Sequence, residues 1–113
     1  MNVIKPGQHG STFGGNPVAA AVAIAALDVV NDENLIQNAA ETGEYLMRNL
    51  QGISGVKEVR GRGLMIGIEL EEAVGPIRDA LLFKEHIFCG YAGKHTLRLL
   101  PSLAMDKALA DRF

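Results

Sequence analysis

Cysteine occurs once in this chain, as Cys89. A lone cysteine excludes an intramolecular disulfide, and its scarcity fits a reducing cytosol. Positive charge is not in excess either: 11 Lys and Arg stand against 13 Asp and Glu, for a formal net charge of -2. Nucleic acid and anionic membrane surfaces favour a basic face, so neither is expected as a partner. Long apolar runs are missing too. The longest uncharged apolar stretch, residues 17–27, falls far short of the ~20 residues that cross a bilayer. Met1-Asn2-Val3-Ile4-Lys5-Pro6 lacks the charged start and long apolar run of a signal peptide. Repeats, low-complexity tracts and flexible linkers are likewise absent. A cytoplasmic location is the expectation.

What is present suits one small domain. The chain has 113 residues, 48% of them hydrophobic and 21% charged, the balance of an ordinary globular protein. It opens in a glycine-rich loop and stops at Asp111-Arg112-Phe113, inside a helix expected to begin near Met105. Single domains more often start and finish on tied-down elements, so a piece of a larger protein is expected.

Residues 6–16, PGQHGSTFGGN, read as a loop. Asn16 and Pro17 then suit the cap and first position of a helix over residues 18–30. That helix is Ala-rich and apolar on nearly every side, the pattern of one buried all round or packed on a partner. Asn31-Asp32-Glu33 breaks it. Leu35, Ile36, Ala39, Ala40, Gly43, Met47 and Leu50 recur at helical spacing opposite polar residues, giving an amphipathic helix that ends at Gly52. Residues 56–60 read as a strand, and 64–70 alternate as a second, joined by Gly61-Arg62-Gly63 in a hairpin. Gly75-Pro76 opens a shorter helix. Residues 87–89 and 96–100 read as short strands around the turn Gly90-Tyr91-Ala92-Gly93. Paired strands with segregated helices indicate a two-layer α+β domain.

Three segments could carry chemistry. In His9-Gly10-Ser11-Thr12-Phe13-Gly14-Gly15-Asn16-Pro17, glycines allow close backbone approach. Ser11 and Thr12 add hydroxyls, and the following helix offers a positive dipole end. That makes a phosphate cradle, although composition alone favours a plain tight turn. Arg60-Gly61-Arg62-Gly63-Leu64-Met65-Ile66-Gly67 misses the dinucleotide fingerprint and reads as a glycine hairpin within a sheet. Gly67 inside a strand suggests close backbone approach. Arg98 stands between apolar neighbours in Thr96-Leu97-Arg98-Leu99-Leu100-Pro101. Its planar fork suits a carboxylate, and an edge-strand arginine reaching solvent fits the pattern equally.

Weaker signals carry less. His9 and Ser11 lack a third partner for a triad. His9, His86, His95 and Cys89 lack zinc-ligand spacing. Gly93-Lys94-His95-Thr96 echoes the end of a P-loop, but Phe88 holds the place of the upstream glycine. Cys89 reads as a packed thiol.

Taken together these segments resemble the class III aminotransferases that depend on pyridoxal phosphate, nearest the acetylornithine and ornithine branch. HGSTFGGNPVAAAVAIAALDVV is similar to the stretch shortly after the family's cofactor lysine. VRGRGLMIGIEL resembles the first hairpin of its C-terminal small domain, and FCGYAGKHTLRLLPSL the strand and turn near its end. The resemblance implies a fold-type I small domain, with a short, mainly antiparallel sheet and helices on one face. Residues 1–31 would be the cofactor-phosphate loop and connecting helix of the large domain, and residues 32–113 the small domain. Thr12, with Ser11 beside it, would contact the phosphate of pyridoxal 5'-phosphate across a homodimer interface. Arg98 would hold a substrate carboxylate. The substrates implied are an amino acid and a 2-oxo acid, with N-acetylornithine and 2-oxoglutarate foremost and an arginine or lysine biosynthetic role.

The departures matter as well. Lys5 alone precedes the Ser-Thr pair, whereas the family's cofactor lysine lies much further back. No catalytic residue is therefore assigned in this chain, and the chain alone is expected to be inactive. Ser102 stands where many relatives carry a second proline. Ornithine or 4-aminobutyrate as the amino donor, a non-catalytic interaction domain docking through residues 18–30, and a stand-alone phosphate-binding domain are the alternatives.

Overall fold

The computed structural model describes residues 3–113. Helix α1 (Pro17–Asp32) follows the loop, and helix α2 (Leu35–Leu50) follows Asn34, whose left-handed backbone (φ 52°) reverses the chain. Strands β1 (Val56–Arg62) and β2 (Met65–Leu70) form the expected hairpin. Helix α3 (Val74–Phe83), strands β3 (Gly90–Ala92) and β4 (Thr96–Leu99) and a short helix α4 (Lys107–Ala110) complete the chain. The four strands make one antiparallel sheet in the order β1-β2-β4-β3.

Alternation sorts the sheet into two faces. Ile66, Ile68, Leu70, Leu97 and Leu99 point to one side, where they join Ala39, Leu46 and Leu50 of α2, with Val74, Cys89, Met105 and Ala110. That is the core, and helices cover this face as expected. Its closest approach involves no side chain. A Cβ on Gly43 of α2 would overlap the backbone carbonyl of Gly63 in the hairpin turn, so the helix can sit on the turn only with glycine there. Gly63 itself turns the hairpin with φ 54°. Thr42, beside Gly43, is 2% exposed.

Two expectations need correction, for the third strand and for Gly67. The third strand lies at Gly90–Ala92, not at residues 87–89, and Gly93 (φ 67°) begins the turn. The apolar run Ile87-Phe88-Cys89, which follows the left-handed backbone of His86 (φ 58°), forms no strand ladder with β4. Of the two settings expected for helix α1, burial all round is the one the chain itself does not provide: none of its residues is buried, and Val22, Ile24 and Leu27 are each more than 60% exposed. Its main packing partner is α2. Gly67 does not mark a close backbone approach, since a Cβ there would meet nothing nearer than the Thr96 methyl at 3.5 Å.

Candidate functional site

The loop before α1 is built by its own polar groups. Asn16 caps the helix as expected: its Oδ1 accepts from the Ala19 amide at 2.8 Å, and its Nδ2 donates to the Phe13 carbonyl at 2.7 Å. Pro17 occupies the first helical turn, where its missing N–H costs nothing. Gly14 lies over Ser11: a Cβ there would come within 2.8 Å of the Ser11 hydroxyl. Ser11 and Thr12 are both exposed. Two free hydroxyls beside glycine amides at the positive end of a helix suit a phosphate group.

Arg98 belongs to the sheet. It sits on β4, between β2 and β3, so it is not an edge-strand residue. Leu97 and Leu99 face the core, which sends Arg98 to the opposite, uncovered face. Its guanidinium is exposed, and among the described residues it forms no ion pair. Its two cross-strand neighbours are glycines, Gly67 on β2 and Gly90 on β3. A Cβ on Gly90 would lie 3.3 Å from both Nε and Nη2 of Arg98. The Arg98 guanidinium therefore lies over Gly90, where a side chain would crowd it, and Gly67 leaves the β2 side of the arginine open.

Arg98 lines two cavities. The larger, about 460 Å³, is mostly apolar and runs past Leu46, Ile87, Cys89, Leu99, Met105 and Phe113. The smaller, about 380 Å³, opens on the uncovered sheet face between Arg60, Arg62, Met65, Gly67, Thr96 and Arg98. The second gathers three arginines, against Arg98 and Arg112 in the first, and is the smaller and more open on the sheet face. Ser11 and Thr12 line neither cavity, so the chain does not bring its two anion-receptive places into one cleft.

Sequence reasoning missed the polar network on this face. Glu69 of β2 pairs directly with Thr96 of β4. The Thr96 hydroxyl donates to Glu69 Oε2 at 2.5 Å, and Arg60 Nη2 donates to the same oxygen at 3.3 Å. Arg60 also reaches Glu58 at 3.4 Å. The Thr96 hydrogen bond, foremost, holds the Glu69 carboxyl below its usual range; burial opposes it, and the hydrogen bond and charge of Arg60 add to the lowering. Thr96 and Arg98 are two apart on one strand, so they share a face; that spacing was the available signal.

Cys89 is buried, and burial pushes its thiol up, with nearby Arg78 pulling the other way. It is a packed thiol, as expected. Tyr45 of α2 donates to Asp111 Oδ1 at 2.5 Å and ties α2 to the end of α4.

Residues 1–113 match the family Aminotransferase class-III. Ornithine aminotransferase 1 of Staphylococcus saprophyticus is 48% identical over 113 residues, covering 98% of this chain and 28% of that protein. The solved ornithine aminotransferase from Plasmodium yoelii superposes with a TM-score of 0.82 at 37% identity, over 98% of this chain and 31% of that one. The acetylornithine aminotransferase from Elizabethkingia anophelis gives 0.77 at 36% identity, over 96% and 31%. The chain thus spans under a third of the length of these relatives. With the match running over its whole length, the chain belongs to the class III aminotransferase family.

Proposed function

We propose that this chain is the C-terminal part of a pyridoxal-phosphate-dependent aminotransferase that moves an amino group between an ornithine-type amine and a 2-oxo acid, with 2-oxoglutarate the acceptor. Arg98 carries the reading: an unpaired guanidinium in mid-sheet with glycine on either side is a receptor for a planar anion. Its role is to hold the substrate carboxylate and thereby fix how the Cα bonds are presented to the chemistry.

Ser11 and Thr12 would hold the cofactor phosphate. The fit is to that half of the cofactor alone: exposed hydroxyls, glycine amides and a helix N-terminus accept a phosphate, and Lys5 is the one lysine ahead of them. When bound, pyridoxal phosphate supplies an electron sink for a carbanion at the substrate Cα. Because Ser11 and Thr12 share no cavity with Arg98, we propose that the two meet only across a homodimer interface or with further protein in place. The division into residues 1–31 and 32–113 is supported by burial: α1 contributes nothing to the core that α2, the sheet and α4 share.

For the amino donor, the names of the relatives favour ornithine, ahead of the N-acetylornithine first expected from sequence. The acetylornithine enzyme of similar fold keeps that donor in view. The test is a titration of the chain with glutarate, followed through the Nε–Hε NMR signal of Arg98. Saturable binding that Arg98→Gln abolishes is expected; binding indifferent to that substitution overturns the reading. A cofactor absorbance band that disappears on Lys5→Ala would overturn the view that this segment supplies no cofactor lysine.

A further inference from the structure

A carboxylate already stands within reach of Arg98, yet the two do not pair. Gly67 is opposite Arg98 and Glu69 is opposite Thr96, so Glu69 and Arg98 are diagonal neighbours on one face. Such neighbours lie about 7–8 Å apart, close enough for two long side chains to meet. An opposite-charge pair there is favourable and would occupy the guanidinium. Instead the Oε2 of Glu69 accepts from the Thr96 hydroxyl at 2.5 Å and from Arg60 at 3.3 Å.

We infer that Thr96 and Arg60 are positioning residues: by clasping the Glu69 carboxylate they keep it off Arg98 and leave that guanidinium open to a carboxylate ligand. The inference rests on the proposed role of Arg98. The geometry makes the clasp two-sided. Thr96 stands directly across from Glu69, and Arg60 lies on β1, on the side of β2 away from Arg98. Both donors act on one oxygen, Arg60 from the β1 side and Thr96 from the β4 side, so together they pin the carboxylate above β2. Arg60 is further anchored by Glu58 at 3.4 Å. Of the arginines around the smaller cavity, Arg60 is thus the one committed to carboxylates of the chain itself. The Glu69 carboxyl is also held in its ionised form by these contacts, so a released Glu69 would compete as a full charge.

The test uses the 113-residue chain with glutarate as probe, read by the Nε–Hε signal of Arg98. Thr96→Val removes the hydroxyl while keeping the shape. It should weaken glutarate binding about two- to fivefold, the range of an exposed ion pair now competing for the guanidinium. Arg60→Gln should act in the same direction. Adding Glu69→Gln to Thr96→Val should restore the original affinity, because the competitor is gone. An unchanged affinity in Thr96→Val overturns the inference, and so does a loss that persists in the double variant, since that would mean a structural role for Thr96. If Thr96→Val does not fold, Arg60→Gln with and without Glu69→Gln decides: the same rescue supports the clasp, and its absence overturns it. Arg98→Gln serves as the separate control. If it leaves glutarate binding intact, the role of Arg98 fails; if it abolishes binding while the clasp variants do nothing, only the clasp fails.

Discussion

Helices α1 and α2 are the same length, 16 residues each, and meet opposite fates. α2 concentrates its apolar residues on one stripe and sets Ala39, Leu46 and Leu50 into the core. α1 is richer in apolar residues but spreads them around its axis, and it buries none. Total hydrophobicity therefore does not decide burial within a chain; the arrangement does. A helix with one apolar face finds its place on a sheet, whereas one apolar all round needs neighbours on several sides. The α2–sheet unit provides one neighbour only, and contiguous bare apolar surface of this kind marks an interaction surface.

Substitutions can break this contrast. The largest expected effect is at Ile66, 1% exposed at the centre of the sheet. Ile66→Ala should cost about 2–5 kcal/mol, measured by urea unfolding, because it removes contacts and leaves a cavity. The matching change in α1, Ile24→Ala at a 61% exposed site, should move stability by less than about 0.5 kcal/mol. Equal costs at the two sites would dissolve the distinction. Next comes Gly43→Ala. Its new methyl would overlap the backbone of Gly63, which cannot swing aside as a side chain can. A loss of about 1–3 kcal/mol or more is expected in the same assay. Asn16→Ala should cost about 1 kcal/mol of α1 helicity, read by circular dichroism, with the sheet unaffected.

The smallest effect is a pH dependence. The hydrogen bond to Asp111, then burial and the Asp111 charge, raise the Tyr45 phenol above its ordinary 10.0. A raised folded value means the contribution is complete below 10.0 and fades as pH rises through the folded value. Tyr45→Phe should flatten the alkaline limb of thermal stability. An identical limb in the variant would show that the α2–α4 tie contributes nothing.

The sequence made much of this fold readable, and the reasons for the gaps are physical. α2 and the β1–β2 hairpin follow from periods of 3.6 and 2 residues and from glycine at the turn. The Asn16-Pro17 helix start follows from cap chemistry. β3 was misplaced because Ile87-Phe88-Cys89 looks more like a strand than Gly90-Tyr91-Ala92 does. What makes the latter a strand is its register against β4, a tertiary fact that local propensity does not contain. At the candidate site, Ser11, Thr12 and Arg98 could be named from sequence. The flanking glycines and the Glu69 clasp could not, because the pairing of β2 with β4 joins residues far apart in the chain. Arg98 offered an edge or a partnered setting; it has neither, because its openness depends on what its neighbours hold.

The single buried thiol gives the molecule a built-in reporter. Cys89 packs in the same core as the sheet residues that carry Arg98, and its depressed acidity makes it still less reactive while covered. Its thiol is 6% exposed and lines the larger cavity, so an alkylating reagent reaches it faster the more that cavity opens. Where reclosing outpaces modification, the labelling rate measures the open fraction directly. With no competing cysteine, total protein mass then counts those openings one molecule at a time.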